Sequence, residues 1–188
     1  MVYLGQKPII MGEKVILRPF KNEDFSYIEE CLKDSEVIKL TGSTSDFDQD
    51  SVHHWYNTRN EQTDRLDLAI VDQSQHILVG EVVINLYDGK SNSMNFRILI
   101  GPRGRNRGLG TEASRLIIDY VFKITKLNYL TLSVYDFNPR AVNVYKNLGF
   151  AEESVEENEL EFEGEWIDSI NMKLTREDWL QKQKGFST

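Results

Sequence analysis

The chain has 188 residues, 40% of them hydrophobic and 28% charged, and a formal net charge of -8. That length fits one domain spanning 1–188 with its core at about 13–175, and the composition is that of an ordinary globular chain. The negative charge excludes a general nucleic-acid binder, since duplex affinity depends on neutralising phosphates. No apolar stretch approaches the roughly 20 residues that cross a bilayer, so no membrane partner is expected.

The segment Met1 to Lys7 lacks a basic region followed by an apolar one, so no signal peptide is read and a cytoplasmic location is expected. Cys31 is the sole cysteine, which leaves no internal disulfide and no cysteine-based zinc site. His53, His54 and His76 form no metal-ligand pattern, and no metal is expected.

In chain order, Val15-Ile16-Leu17 reads as a short strand closed by Arg18-Pro19. Asn22 is the expected N-cap of a helix carrying Phe25, Ile28 and Leu32 at helical spacing. Asp48 to Asn60 reads as a second helix with Val52, Trp55 and Tyr56 as its apolar stripe. Leu66 to Val71 alternates as a strand, Gln73-Ser74-Gln75 turns, and Ile77 to Leu86 returns. Asp88 to Asn92 is the next turn, before a strand over Met94 to Ile100. Ala113, Leu116, Ile117, Tyr120, Val121 and Ile124 then mark a long amphipathic helix. Tyr129 to Tyr135 is a strand, and Asn138 to Leu148 a short helix. Strands at Phe150 to Phe162 and Trp166 to Leu174 follow, turning at Gly164. Thr175 opens a last helix with Trp179 and Leu180 on its apolar side. The pattern is α/β (α+β), one sheet covered by helices.

The segment Gly101-Pro102-Arg103-Gly104-Arg105-Asn106-Arg107-Gly108-Leu109-Gly110-Thr111 joins an apolar strand to the long helix. Arginines, glycines and a helix N-terminus together suggest a polyanion site. A P-loop is disfavoured, because no Lys-Ser or Lys-Thr follows the glycines. Gly108 to Ala113 matches the dinucleotide pattern G-x-G-x-x-A, but the segment from Gly101 to Arg107 intervenes after the strand and no second βαβ unit follows. A third reading is a loop for the pyrophosphate of an acyl-coenzyme A, and the bland one is a solvated basic turn. Asn138 to Phe150 reads locally as a capped helix: Asn138 at the N-cap, Pro139 at N1, Gly149 at C′. On that reading Tyr145 is a core tyrosine.

The two segments together resemble the GNAT N-acetyltransferases. Arg105-Asn106-Arg107-Gly108-Leu109-Gly110 fits their [RQ]-x-x-G-x-[GA] loop. Asn138 to Phe150 fits their N-x-x-[AS]-x-x-x-Y-x-x-x-G-F segment at every fixed position. The resemblance runs from about Val15 to Leu174. The tail from Glu161 to Asp168 is similar to the ribosomal-protein (RimJ/RimL-type) and spermidine acetyltransferase branch.

The resemblance implies a central mixed sheet with helices on both faces and a splayed strand pair at the coenzyme A site. It implies acetyl-CoA as cosubstrate, with an amine acceptor that is a protein N-terminus or a small molecule, a polyamine being the alternative. The cofactor-binding residues it implies are Leu99, Ile100, Arg105, Asn106, Arg107, Gly108, Leu109, Gly110, Thr111, Asn138 and Asn143. Tyr145 matches the general-acid tyrosine. The branch often has a glutamate where Asn95 stands, and an asparagine is no base. Glu81, Glu112 and the glutamates near 157–163 are the candidates for that role, with Glu81 favoured because its strand neighbours the splayed one. Strand alternation would turn Glu157, Glu159, Glu161 and Glu163 one way and Leu160 and Phe162 the other, giving either a solvated face or a funnel for a cationic acceptor. A non-catalytic acyl-CoA-binding module is the alternative of another class. Family analogy alone raises a homodimer.

Overall fold

A computed structural model describes residues 2–44 and 46–185. Eight strands form one sheet, ordered β1 (Ile10–Met11), β2 (Val15–Arg18), β3 (Leu66–Asp72), β4 (Ile77–Asp88), β5 (Ser93–Ile100), β6 (Tyr129–Tyr135), β8 (Glu165–Thr175) and β7 (Ala151–Phe162). Neighbours run antiparallel except β5 and β6, which are parallel. The mixed sheet expected from the sequence is thus present.

Helices cover both faces and divide the core in two. Beneath one face, α4 (Leu109–Ile124), α5 (Pro139–Leu148) and α6 (Arg176–Gly185) pack Ile117, Val142 and Trp179 against Leu68, Ile84 and Phe96. On the other, α1 (Phe25–Lys33) and α3 (Gln49–Arg59) pack Phe25, Ile28 and Tyr56 against Ala69, Val71 and Leu78. The period-two alternation of β3 explains the division: Leu66, Leu68 and Ile70 serve one core, Ala69 and Val71 the other. Asp67, a charged residue between them, is 2% exposed. Its carboxylate accepts two hydrogen bonds from the Arg65 guanidinium, at 2.6 and 2.8 Å. A buried charge needs such a partner.

Several expectations are corrected. Asn22 is no helix cap; Asn22–Asp24 is a 3-10 turn, and α1 begins at Phe25. The capping carboxylate belongs to the buried Asp24, which accepts from Lys21 N at 2.8 Å and pairs twice with Arg18. Trp55 is 46% exposed rather than core. Arg59 takes the inward position on α3 and lays its guanidinium 3.5 Å from the Trp55 ring centroid. Leu180 and Ile124 are exposed as well. Two elements were not anticipated: the short β1, and α2 (Ser35–Thr41). The latter is capped by the Asp34 carboxylate at Val37 N (3.0 Å) and stopped by Gly42 at φ 65°.

The long helix α4 is fixed at its C-terminal end by Arg176, which donates to the carbonyls of Phe122, Thr125 and Leu127 at 2.9, 2.8 and 2.7 Å. Phe122 O is one of the carbonyls the helix end leaves without a partner of its own; Thr125 is the C-cap and Leu127 lies in the segment that follows.

Candidate active site

β5 pairs with β4 along its length, from Ser93↔Asp88 to Ile100↔Gly80. With β6 it pairs only through Ser93, Met94 and Asn95. Beyond Asn95 the two strands splay, as expected, and the opening is the mouth of a cavity of about 860 Å³. Phe96 to Ile100 form one wall and Leu132 to Tyr135 the other.

The phase of the β4–β5 ladder decides which backbone groups enter that opening. Gly101 N donates to Val79 O at 2.8 Å, so residues 79 and 101 form a hydrogen-bonded pair. Antiparallel ladders alternate such pairs. Glu81/Leu99 and Val83/Arg97 are then bonded pairs, while Ile98 and Ile100 turn their N–H and C=O groups toward the splay. The Leu99 backbone is committed to β4, although Leu99, expected at the cofactor, is among the residues lining the cavity.

At the cavity's far end stands the N-terminus of α4. Its N-cap is Gly108 at φ 74°, a left-handed conformation that glycine adopts without strain, and no side chain caps the helix. The N–H groups of Leu109, Gly110 and Thr111 therefore stay available at the positive end of a 16-residue helix. Gly110 faces β5, where a Cβ would lie 3.1 Å from Ile100 Cγ1. This is a fitting cradle for a pyrophosphate.

The three loop arginines are engaged elsewhere. Arg103 pairs with Glu30 at 2.9 Å. Arg105, on the cavity wall, lies between Asp34 and Glu36, the latter at 2.8 Å. Arg107 is not in the wall; it donates to Asp72 at 2.6 Å, a carboxylate 1% exposed that also accepts from Ser74 N and Oγ. Burial alone would raise the Asp72 carboxyl, but Ser74 and Arg107 outweigh it and hold it below the usual range. Asn106, with φ 61°, accepts from Arg140 of α5.

On α5, Asn138 caps the helix through its Oδ1, which accepts from Ala141 N at 3.2 Å, and it also lines the cavity. Tyr145 lies one face along, beside Phe96 and Phe150 at centroid distances of 6.1 Å. Burial pushes its phenol up to about 12. No other described residue bonds its hydroxyl, and no buried polar side-chain atom is left unpartnered, so the hydroxyl opens to the cavity. Asn143 sits exposed on α5 outside the wall.

Glu81 is buried in the wall opposite, on β4. Desolvation raises its carboxyl above the ordinary glutamate range, opposed by Arg97, 3.8 Å away, and by a hydrogen bond from Tyr56. Glu112, the other named candidate on α4, is outside the wall. Its Oε2 accepts from Lys14 N at 2.9 Å and Oε1 accepts from Glu13 N, tying α4 to the β1–β2 turn. Asn95 donates to Asn85 at 3.2 Å, away from the cavity.

The acidic run does not keep its alternation. Pairing shifts from Glu156↔Ser169 to Leu160↔Ile167, so β7 carries a bulge with Asn158 at φ 55°. A bulge re-aims the side chains around it. Glu156 and Glu159 reach the cavity wall, joining Glu36, Asp48 and Glu81; Glu157, Glu161 and Glu163 do not. Tyr56, Arg97 and Arg140 were not singled out in the sequence for this site, whereas Glu156 belongs to the acidic run from Glu152 to Glu165 expected either as a solvated face or as a funnel. Only the arginine within N-x-x-[AS] offered a motif position from which to find one of them.

A family model for the acetyltransferase (GNAT) domain matches residues 14–151. The spermidine N(1)-acetyltransferase of Escherichia coli K12 is 28% identical over 181 residues, 92% of each chain. That of Vibrio cholerae is 23% identical over 175 residues, covering 93% of this chain and 100% of that one. The solved structure of spermidine N-acetyltransferase from Vibrio cholerae, in complex with CoA and spermine, superposes with a TM-score of 0.81 over 90% of this chain and 99% of that one, at 23% identity. With the splayed β5–β6 pair, the open α4 N-terminus and the motif of α5 in one cavity, the chain belongs to the GNAT acetyltransferase family and is an acyltransferase acting on an amine.

Proposed function

We propose that the enzyme acetylates a primary amine of a polyamine-type polycation, using acetyl-CoA. One observation carries this reading: Glu36, Asp48, Glu81, Glu156 and Glu159 line the same cavity as the splayed strands. Glu36 and Glu81 face Arg105 and Arg97, but Asp48 and the two β7 carboxylates have no ion-pair partner among the described residues and attract an acceptor with several positive charges. The similarity to spermidine acetyltransferases over 92% of the chain supports it.

Acetyl-CoA supplies an electrophilic thioester. The α4 N-terminus and the Gly108–Thr111 backbone hold its pyrophosphate, and Ile98 and Ile100 align its pantetheine arm along β5. An alkyl ammonium has a pKa near about 10.4, so it must lose a proton before attack. Glu81 accepts that proton, directly or through water; its raised pKa makes it a better base than an exposed glutamate. A β5 N–H, from Ile98 or Ile100, stabilises the oxyanion as the amine nitrogen bonds the carbonyl carbon. Tyr145 donates to the sulfur as the C–S bond breaks. A phenol held to about 12 keeps its proton at neutral pH. A thiol has a pKa of only about 8.5, so the thiolate is too weak a base to hold that proton against the phenol at equilibrium; the Tyr145 hydrogen bond stabilises the charge growing on sulfur and the proton crosses as the bond breaks. The attacking nitrogen sheds its second proton to water as the amide forms, Tyr145 is reprotonated from that water, and Glu81 releases the first proton to solvent.

A thiol-release assay across spermidine, spermine, a monoamine and a short peptide tests the proposal. Turnover with the polyamines and strong inhibition by salt are expected; preference for the monoamine or peptide, insensitive to salt, overturns it.

A further inference from the structure

We infer that Arg140, rather than the arginines of the glycine-rich loop, supplies the side-chain charge that holds the coenzyme's pyrophosphate. The inference rests on the reading of the α4 N-terminus as a coenzyme A cradle.

The loop arginines face carboxylates. Arg105 is held by Asp34 and Glu36, and Asp34 is itself the cap of α2. Arg107 compensates the buried Asp72, and Arg103 pairs with Glu30. Drawing Arg107 to a ligand would strip a buried carboxylate of its counter-charge, a costly exchange. Three arginines opposed by four carboxylates leave no surplus positive charge where an anion would bind.

Arg140 differs in each respect. It is exposed in the first turn of α5, lines the cavity, and forms no ion pair with a described residue. Its partner is the neutral Oδ1 of Asn106, at the crest of the loop two residues before Gly108. Asn106 reaches it from a left-handed conformation, φ 61°, which asparagine tolerates better than most residues. One guanidinium nitrogen is thus held by an uncharged amide, with the remaining donors free for a phosphate beside the α4 N–H groups. Lys14 is the other cation near this turn. Its Nζ lies 3.4 Å from Arg107 O, outside the cavity wall.

Calorimetric titration of CoA and of dephospho-CoA, which lacks the 3′-phosphate, into wild type, R140Q and R107Q tests this. R140Q is expected to weaken both ligands about tenfold to a hundredfold, by equal factors, because both carry the pyrophosphate. R107Q is expected to change affinity less than about threefold while lowering the melting temperature of the free protein, since Asp72 loses its partner. R140Q should leave that melting temperature unchanged. Equal affinity of wild type and R140Q overturns the inference, as does a loss confined to CoA, which would place Arg140 at the 3′-phosphate. Failure of the wild type to bind either ligand would instead overturn the cradle itself.

Discussion

The two flanks of β5 are built to opposite ends. Toward β4 the strand is zipped from Ser93 to Ile100; toward β6 it lets go after Asn95. The first flank uses the backbone of Arg97 and Leu99 for cohesion and is backed by residues as buried as Val82 and Val83. The second leaves the backbone of Ile98 and Ile100 to a cavity whose lining also includes Glu81, Asn138 and Tyr145. An open ladder in a sheet interior leaves polar groups without partners, which is tolerable where water or a ligand supplies them. Stability and function are thus read from alternate residues of one strand.

Changes to side chains that line the cavity should alter turnover without loss of stability. The largest effect is expected for Glu81→Gln, a loss of about a hundredfold in kcat/KM, within the range of a general base. The pH profile checks the role. Because burial raises the folded-state carboxyl, the wild-type rate should fall as pH drops through a value above an ordinary glutamate's, and the variant should lose that limb. The same shift fixes the stability sign. A carboxyl raised on folding favours the fold below its unfolded pKa and loses that contribution as pH rises through the folded one, so Glu81→Gln should be stabilised relative to wild type at neutral pH. A variant that is slow and also unstable would identify Glu81 as structural.

Tyr145→Phe comes next, with kcat reduced more than roughly tenfold and the coenzyme's Kd little changed. An unchanged kcat would return Tyr145 to the core alongside Phe96 and Phe150. Glu156→Gln combined with Glu159→Gln should raise KM for a polyamine about tenfold and flatten its salt dependence, leaving kcat in place. On the closed side of the molecule, Arg176→Ala should cost about 2 kcal/mol of stability, from charge-assisted bonds to the carbonyls at and just beyond the end of α4, with no change in kinetics. Chemical denaturation measures it.

Much of this architecture was legible in the sequence because its signals are local. Helical spacing marked α4, the Asn138–Pro139 and Gly149 caps bounded α5, and the glycines before α4 announced a backbone meant for close approach. What stayed hidden depended on partners distant in the chain. Arg107 looked like a phosphate ligand until Asp72, 35 residues away, was beside it. The burial of Asp67 follows only from both faces of β3 being covered. The alternation of the acidic strand failed at Asn158, where a bulge changed the count without any glycine or proline to mark it. Trp55 lost its expected place to Arg59, a residue type that periodicity counts as polar.

Amide hydrogen exchange across β5 tests the central claim most directly. With the enzyme free, Arg97 and Leu99 should be strongly protected and Ile98 and Ile100 should exchange quickly; saturating CoA should slow Ile98 and Ile100 and leave the other two as they were. Equal protection of all four in the free enzyme, or no response of Ile98 and Ile100 to CoA, would contradict the account.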